Sequence, residues 1–178
     1  MNIPNLLTIL RILLVPLVVI LLMDSAYAMA LAVFILAGVT DGLDGFLARV
    51  LKQKTLLGAY LDPLADKALI ASSFITLSIL GFIPGWLTVI VIARDLVILL
   101  GISLLTILSV SFQIRPVAVS KVTTALQLFT VFFVLLSISF PGRFPPLIVE
   151  SLFWLTASFT VFSGFFYIKK GFRMFSTP

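Results

Sequence analysis

Hydrophobic positions fall into long runs along this chain, broken by short stretches that gather polar residues, prolines and glycines: "MDSAYA", "LKQKTLLG", "GFIPG", "SFQIRPVAVS" and "FPGRFPP". About 20 helical residues at 1.5 Å each cross a bilayer core of roughly 30 Å. By that ruler the pattern predicts six transmembrane helices, near residues 6–23, 28–49, 60–81, 85–108, 118–139 and 147–168. Nothing between them is long enough for a soluble domain, so residues 1–178 are predicted to form a single integral-membrane domain of all-α class. No internal repeat is visible, and no low-complexity tract beyond the apolar bias itself.

Composition sharpens this reading. The 178 residues are 61% hydrophobic and 11% charged, with a mean hydropathy of +1.27, too oily for a water-facing surface. Cysteine and histidine are absent, which excludes disulfides, thiolate metal sites and imidazole catalysis. Proton chemistry then falls to carboxylates, Lys or Tyr. The N-terminal stretch lacks a basic leader and a small-residue cleavage site, so it is expected to be retained as the first span.

The net charge of +5 is carried by basic residues scattered between apolar runs, without the aromatic interleaving of a nucleic-acid surface. No nucleic-acid partner is expected; anionic lipid and phosphate groups suit these cations better. Threading the six spans puts Arg11, Arg49, Lys52, Lys54, Lys67, Arg94, Arg115, Lys121, Lys169, Lys170 and Arg173 on one side and Arg143 alone on the other. The positive-inside rule makes the crowded side cytoplasmic, with both termini inside.

Against this background residues 41–66, "DGLDGFLARVLKQKTLLGAYLDPLAD", stand apart. Asp41 lies roughly two turns inside the second span, where an unpaired charge costs on the order of 2.5–3.5 kcal/mol. Asp41 and Asp44 are spaced i, i+3, and Asp62 and Asp66 i, i+4, so each pair shares one helix face. The short connection predicts antiparallel neighbouring helices with both pairs turned to one spot. Four carboxylates gathered there would repel unless a cation sat among them. All-oxygen donors select hard divalent ions such as Mg²⁺, Mn²⁺ or Ca²⁺, and shared carboxylates suit a two-metal site for phosphoryl chemistry. Gly42, Gly45 and Gly58 are poor helix formers beside these acids, which points to close approach by a ligand or to close helix packing. Ala48 continues the face of Gly45 and leaves room for a flat ring, and Arg49 offers a charge-assisted fork for phosphate.

The segment resembles the signature of the CDP-alcohol phosphotransferases, D-x-x-D-G-x-x-A-R, eight residues, then G-x-x-x-D-x-x-x-D, and agrees at every fixed position. The start "NIPNLLTILR", the six spans and "SKVTTALQ" are similar to the bacterial phosphatidylglycerophosphate synthase and cardiolipin synthase branches of that family. The resemblance implies a phosphatidyl transfer from CDP-diacylglycerol to an alcohol acceptor with release of CMP, in glycerophospholipid biosynthesis. It implies two divalent metal ions, Mg or Mn, held by Asp41, Asp44, Asp62 and Asp66, with Asp66 as the catalytic base. Gly45, Ala48 and Gly58 would line the cytidine pocket, and Arg49, with Asn5 and Thr8, would hold phosphate. The expected location is the bacterial inner membrane, the active site facing the cytoplasm among membrane lipid; a homodimer accords with the family's habit.

The acceptor is less fixed. Arg94, Arg115 and Lys121 are candidates for an anionic acceptor. The phosphatidylglycerophosphate synthases would carry G-K-x-K-T where this chain has Ser120, Lys121, Val122, Thr123 and Thr124. The missing second lysine, with "IARDL", leans toward the cardiolipin synthase type and a phosphatidylglycerol acceptor over glycerol 3-phosphate. Inositol phosphate or serine acceptors remain alternatives, as does a cation transporter, which would place acids nearer the midplane on broken helices. The aromatic-rich last span reads as lipid-facing bulk. No polar seam outside the motif names a dimer interface.

Overall fold

The computed structural model describes the backbone of residues 3–50, 56–107 and 118–175, and the side chains of 6, 8–42, 65, 67–101, 119–167 and 169. The described residues form six α-helices and no strand: α1 (Ile3–Met23), α2 (Tyr27–Val50), α3 (Leu56–Ile79), α4 (Gly85–Ile107), α5 (Ala118–Ser139) and α6 (Pro146–Phe175). The all-α prediction is met, and each predicted span has its helix. Among the described residues two stretches, Val119–Ser139 and Pro146–Tyr167, are long and apolar enough to cross a membrane.

Helix ends are set by local chemistry. After α3 the chain turns left-handed at Gly81, with φ 82°. The Phe82 and Gly81 amides return to the Leu77 and Ser78 carbonyls at 2.9 and 3.1 Å, the double bond that closes a helix on a C′ glycine. The turn after α1 has the same form around Ser25, φ 59°, where the Ala26 and Ser25 amides reach Leu21 and Leu22 at 2.8 and 3.1 Å. A side chain in that region is uncommon. The turn fixes the register of the α1–α2 hairpin.

The chain divides into two compact units, Met1–Ile83 with Val131–Pro145, and Pro84–Thr130 with Pro146–Pro178. In the first, α1 packs against both α2 and α3. Its buried stripe runs Thr8, Arg11, Leu14, Val18, Leu22, the three-and-four spacing of one helix face. Ala30, Phe34 and Ala37 of α2 and Leu69, Ile70 and Phe74 of α3 are buried likewise. In the second unit α4 packs on α6, where Trp86 and Trp154 rings meet at 5.1 Å.

The second unit also holds a seam that hydrophobicity alone conceals. Thr123, Gln127 and Thr130 of α5 and Thr156, Thr160 and Ser163 of α6 are all buried. Thr130 and Thr156 hydroxyls are 2.7 Å apart, Gln127 Nε2 donates to Thr160 Oγ1 at 3.4 Å, and the Thr123 hydroxyl reaches the Phe159 carbonyl at 3.2 Å. Outward on the same unit, by contrast, stand Leu100, Trp154, Phe162 and Phe165. Polar groups inside this unit and bulky apolar groups outside it make a membrane setting plausible. A double-mutant cycle with Thr130→Val and Thr156→Val, read by unfolding in mixed micelles, is expected to return a coupling of about 0.6 kcal/mol, the usual size for such bonds in membranes. No coupling would mean that the two hydroxyls bond elsewhere.

Candidate active site

The first unit brings one of the motif acids together with a cation. Arg11 lies about as far before the turn at residues 24–26 as Asp41 lies after it, so an antiparallel hairpin in that register sets them side by side. Arg11 Nη1 is 2.8 Å from Asp41 Oδ1. The arginine side chain is 0% exposed and the aspartate 43%. One end of this pair is sealed in the helix packing while the carboxylate opens outward. Next to it, the Thr40 hydroxyl donates to the Ala37 carbonyl at 2.8 Å, and Thr8, one turn before Arg11, is buried.

The remaining motif positions are located by backbone. Asp44, Gly45, Ala48 and Arg49 lie in the last turns of α2, and Gly58, Asp62 and Asp66 in the first turns of α3. Their side chains are outside the described residues, as is that of Asn5, and Arg115 lies in a stretch outside them altogether. Among the described residues no three acids come together as a metal site. Of the motif acids the side chain of Asp41 is described: it offers carboxylate oxygens, is partly open and is held by a hydrogen-bonding cation. That arrangement suits a hard divalent ion.

The acceptor candidates separate. Lys121 is exposed on the first turn of α5. Arg94 is buried and held from three helices: Nη1 meets Asp95 Oδ1 at 2.7 Å, Nη2 donates to Ser120 at 2.6 Å and to Ser163 at 2.8 Å, and Nε to Ser163 at 3.3 Å. Four of the five N–H groups of this guanidinium are engaged in these bonds. Sequence reasoning missed the Arg11–Asp41 pair, the serines around Arg94 and the α5–α6 seam. The seam had a signal in the i, i+4, i+7 spacing of Thr156, Thr160 and Ser163; it joins helices of this chain and is no dimer interface.

Residues 1–162 match the CDP-alcohol phosphatidyltransferase family. The chain belongs to that family. The phosphatidyltransferase is similar to a protein of Mycobacterium tuberculosis named "Probable phosphatidylglycerophosphate synthase", 33% identical over 97% of this chain and 82% of the relative. It is similar to "Cardiolipin synthase (CMP-forming)" of Rattus norvegicus at 38% identity, over 73% of this chain but only 48% of the relative, so it spans about half of that protein. "CDP-diacylglycerol--glycerol-3-phosphate 3-phosphatidyltransferase" of Bacillus subtilis (strain 168) is 28% identical over 99% of this chain and 98% of its own length. The family expected from the aspartate motif is thus borne out, and with it a phosphatidyl-transferring enzyme of phospholipid synthesis. The relatives are named for two different products, phosphatidylglycerophosphate and cardiolipin.

Proposed function

We propose that this phosphatidyltransferase is an integral membrane enzyme that moves the phosphatidyl group of CDP-diacylglycerol onto a glycerol-type acceptor and releases CMP. The observation that carries the reading is the complete aspartate motif at 41–66, distributed over the end of α2 and the start of α3 in a chain of this family. Six spans with both termini in the cytoplasm, and a site facing the cytoplasm at the inner membrane, follow from the charge pattern. The outward apolar faces support the lipid setting.

In the transfer, an acceptor hydroxyl attacks the lipid-bearing phosphorus of CDP-diacylglycerol; the new P–O bond forms as the P–O bond to CMP breaks. Asp66 takes the hydroxyl proton, and CMP departs with the bonding electrons. Gly45, Ala48 and Gly58 leave room for the cytidine, and Arg49, with Asn5 and Thr8 from α1, holds phosphate oxygens. Two divalent cations, Mg²⁺ or Mn²⁺, bound by Asp41, Asp44, Asp62 and Asp66, would supply neutralisation of the pyrophosphate charge. Lys121 and Arg115 would face an anionic acceptor, while Arg94 holds the α5 turn that carries Lys121 through its bond to Ser120.

The test is CMP release by the detergent-purified chain supplied with CDP-diacylglycerol and Mg²⁺ or Mn²⁺, separately with glycerol 3-phosphate and with phosphatidylglycerol. Release is expected with one of the two acceptors and should vanish with chelator. Turnover of phosphatidylglycerol alone is the result that the lone lysine of "SKVTT" favours. No CMP with either acceptor would move the reading to inositol phosphate or serine.

A further inference from the structure

α1 carries an arginine in the middle of its buried stripe, between Thr8 and Leu14. A guanidinium does not lose its proton at any ordinary pH, so Arg11 at 0% exposure needs an anion fixed beside it. Buried ion pairs seldom stabilise a fold more than apolar packing of the same volume would. Packing of α1 on α2 and α3 already buries the apolar Leu14, Val18 and Leu22 of α1 and Ala30, Phe34 and Ala37 of α2. The pair therefore calls for a reason other than adhesion, and its asymmetry supplies one. The arginine is sealed, whereas the Asp41 side chain is 43% exposed, on the helix that carries Asp44 one turn further along.

We propose that Arg11 is a positioning residue for the transfer: rooted in the α1 packing, it holds the Asp41 carboxylate through Oδ1 at 2.8 Å so that the exposed side of that carboxylate is set for a divalent cation. The proposal rests on the reading of Asp41 as a metal ligand. A carboxylate already hydrogen-bonded by a fixed partner spends less conformational freedom on coordination, and loss of such a partner typically weakens metal binding about 10–100-fold. A bare counter-ion role has the opposite sign. A positive charge near the site repels a cation, so removing a mere counter-ion would tighten metal binding.

The deciding experiment is Mn²⁺ titration of the full chain in detergent, following free Mn²⁺ by electron paramagnetic resonance, for the parent, Arg11→Gln, Arg11→Lys and Asp41→Asn, each first checked for a cooperative thermal transition. Arg11→Gln is expected to weaken Mn²⁺ binding about 10-fold or more. Arg11→Lys, which keeps the buried charge but loses the planar fork, should weaken it by a smaller factor, and it decides the matter where Arg11→Gln yields no folded protein. Unchanged or tighter binding in the folded Arg11 variant, with Asp41→Asn impaired, overturns the positioning role and leaves Asp41 as a ligand. Unchanged binding in Asp41→Asn overturns the reading of Asp41 itself, and the proposal with it.

Discussion

Asp66→Asn is expected to lower CMP release by about 10²–10⁴-fold, the usual contribution of a positioned general base, without unfolding the chain. The substitution keeps the shape of the side chain and the helical backbone of α3, which runs through this position. An amide cannot accept the acceptor's hydroxyl proton, and in a chain without histidine no imidazole can stand in. Because Asp66 is also proposed near the metals, the Mn²⁺ titration should accompany the rate measurement. A lost base slows turnover at saturating Mn²⁺; a lost ligand is rescued, at least in part, by raising Mn²⁺. Transfer at the parent rate would remove Asp66 from the role of base and turn attention to the other motif acids.

Much of the architecture is visible in the hydrophobic pattern because the breaks contain residues that end helices for reasons of their own. Gly81 and Gly142 take positive φ, and α5 has the predicted bounds, Ala118–Ser139. The ends drift where hydropathy and hydrogen bonding part company. α6 continues to Phe175, past the predicted limit at 168, through Lys169, Lys170 and Arg173: an intrahelical ladder needs no oil around it, and basic residues favour a helix C-terminus. α3 likewise starts at Leu56, before the apolar block begins. For the site, the aspartates are legible since i, i+3 and i, i+4 spacing within one helix is a local property. The Arg11–Asp41 pair is not local. It depends on the register of a hairpin set by the turn at Ser25, and hydropathy alone sees Arg11 as one more inner-face cation.

Arg94 shows the same limit more sharply and carries the second large prediction. Its partners come from α5 and α6 as well as from its own helix, Ser163 being 69 residues away, so residue type suggested an acceptor ligand, and the geometry adds bonds that tie three helices together, which residue type could not suggest. Arg94→Ala is expected to destabilise the protein by about 3–5 kcal/mol, the range for removing one member of a buried ion pair. Asp95 loses its 2.7 Å partner and Ser120 and Ser163 lose their shared donor. Arg94→Lys keeps the charge but offers a single nitrogen where three groups were bound, so it should recover only part of that loss. Ser163→Ala, which removes the acceptor for Nε and one Nη2 bond, should cost about 1–3 kcal/mol. Unfolding in mixed micelles reads all three, with the acceptor KM measured alongside. A clamp predicts that stability falls in the order Ala, then Lys, whichever acceptor is used. If Arg94→Ala proved as stable as the parent while the acceptor KM rose, the guanidinium would have to leave its serines during turnover, and Arg94 would return to the acceptor site beside Lys121.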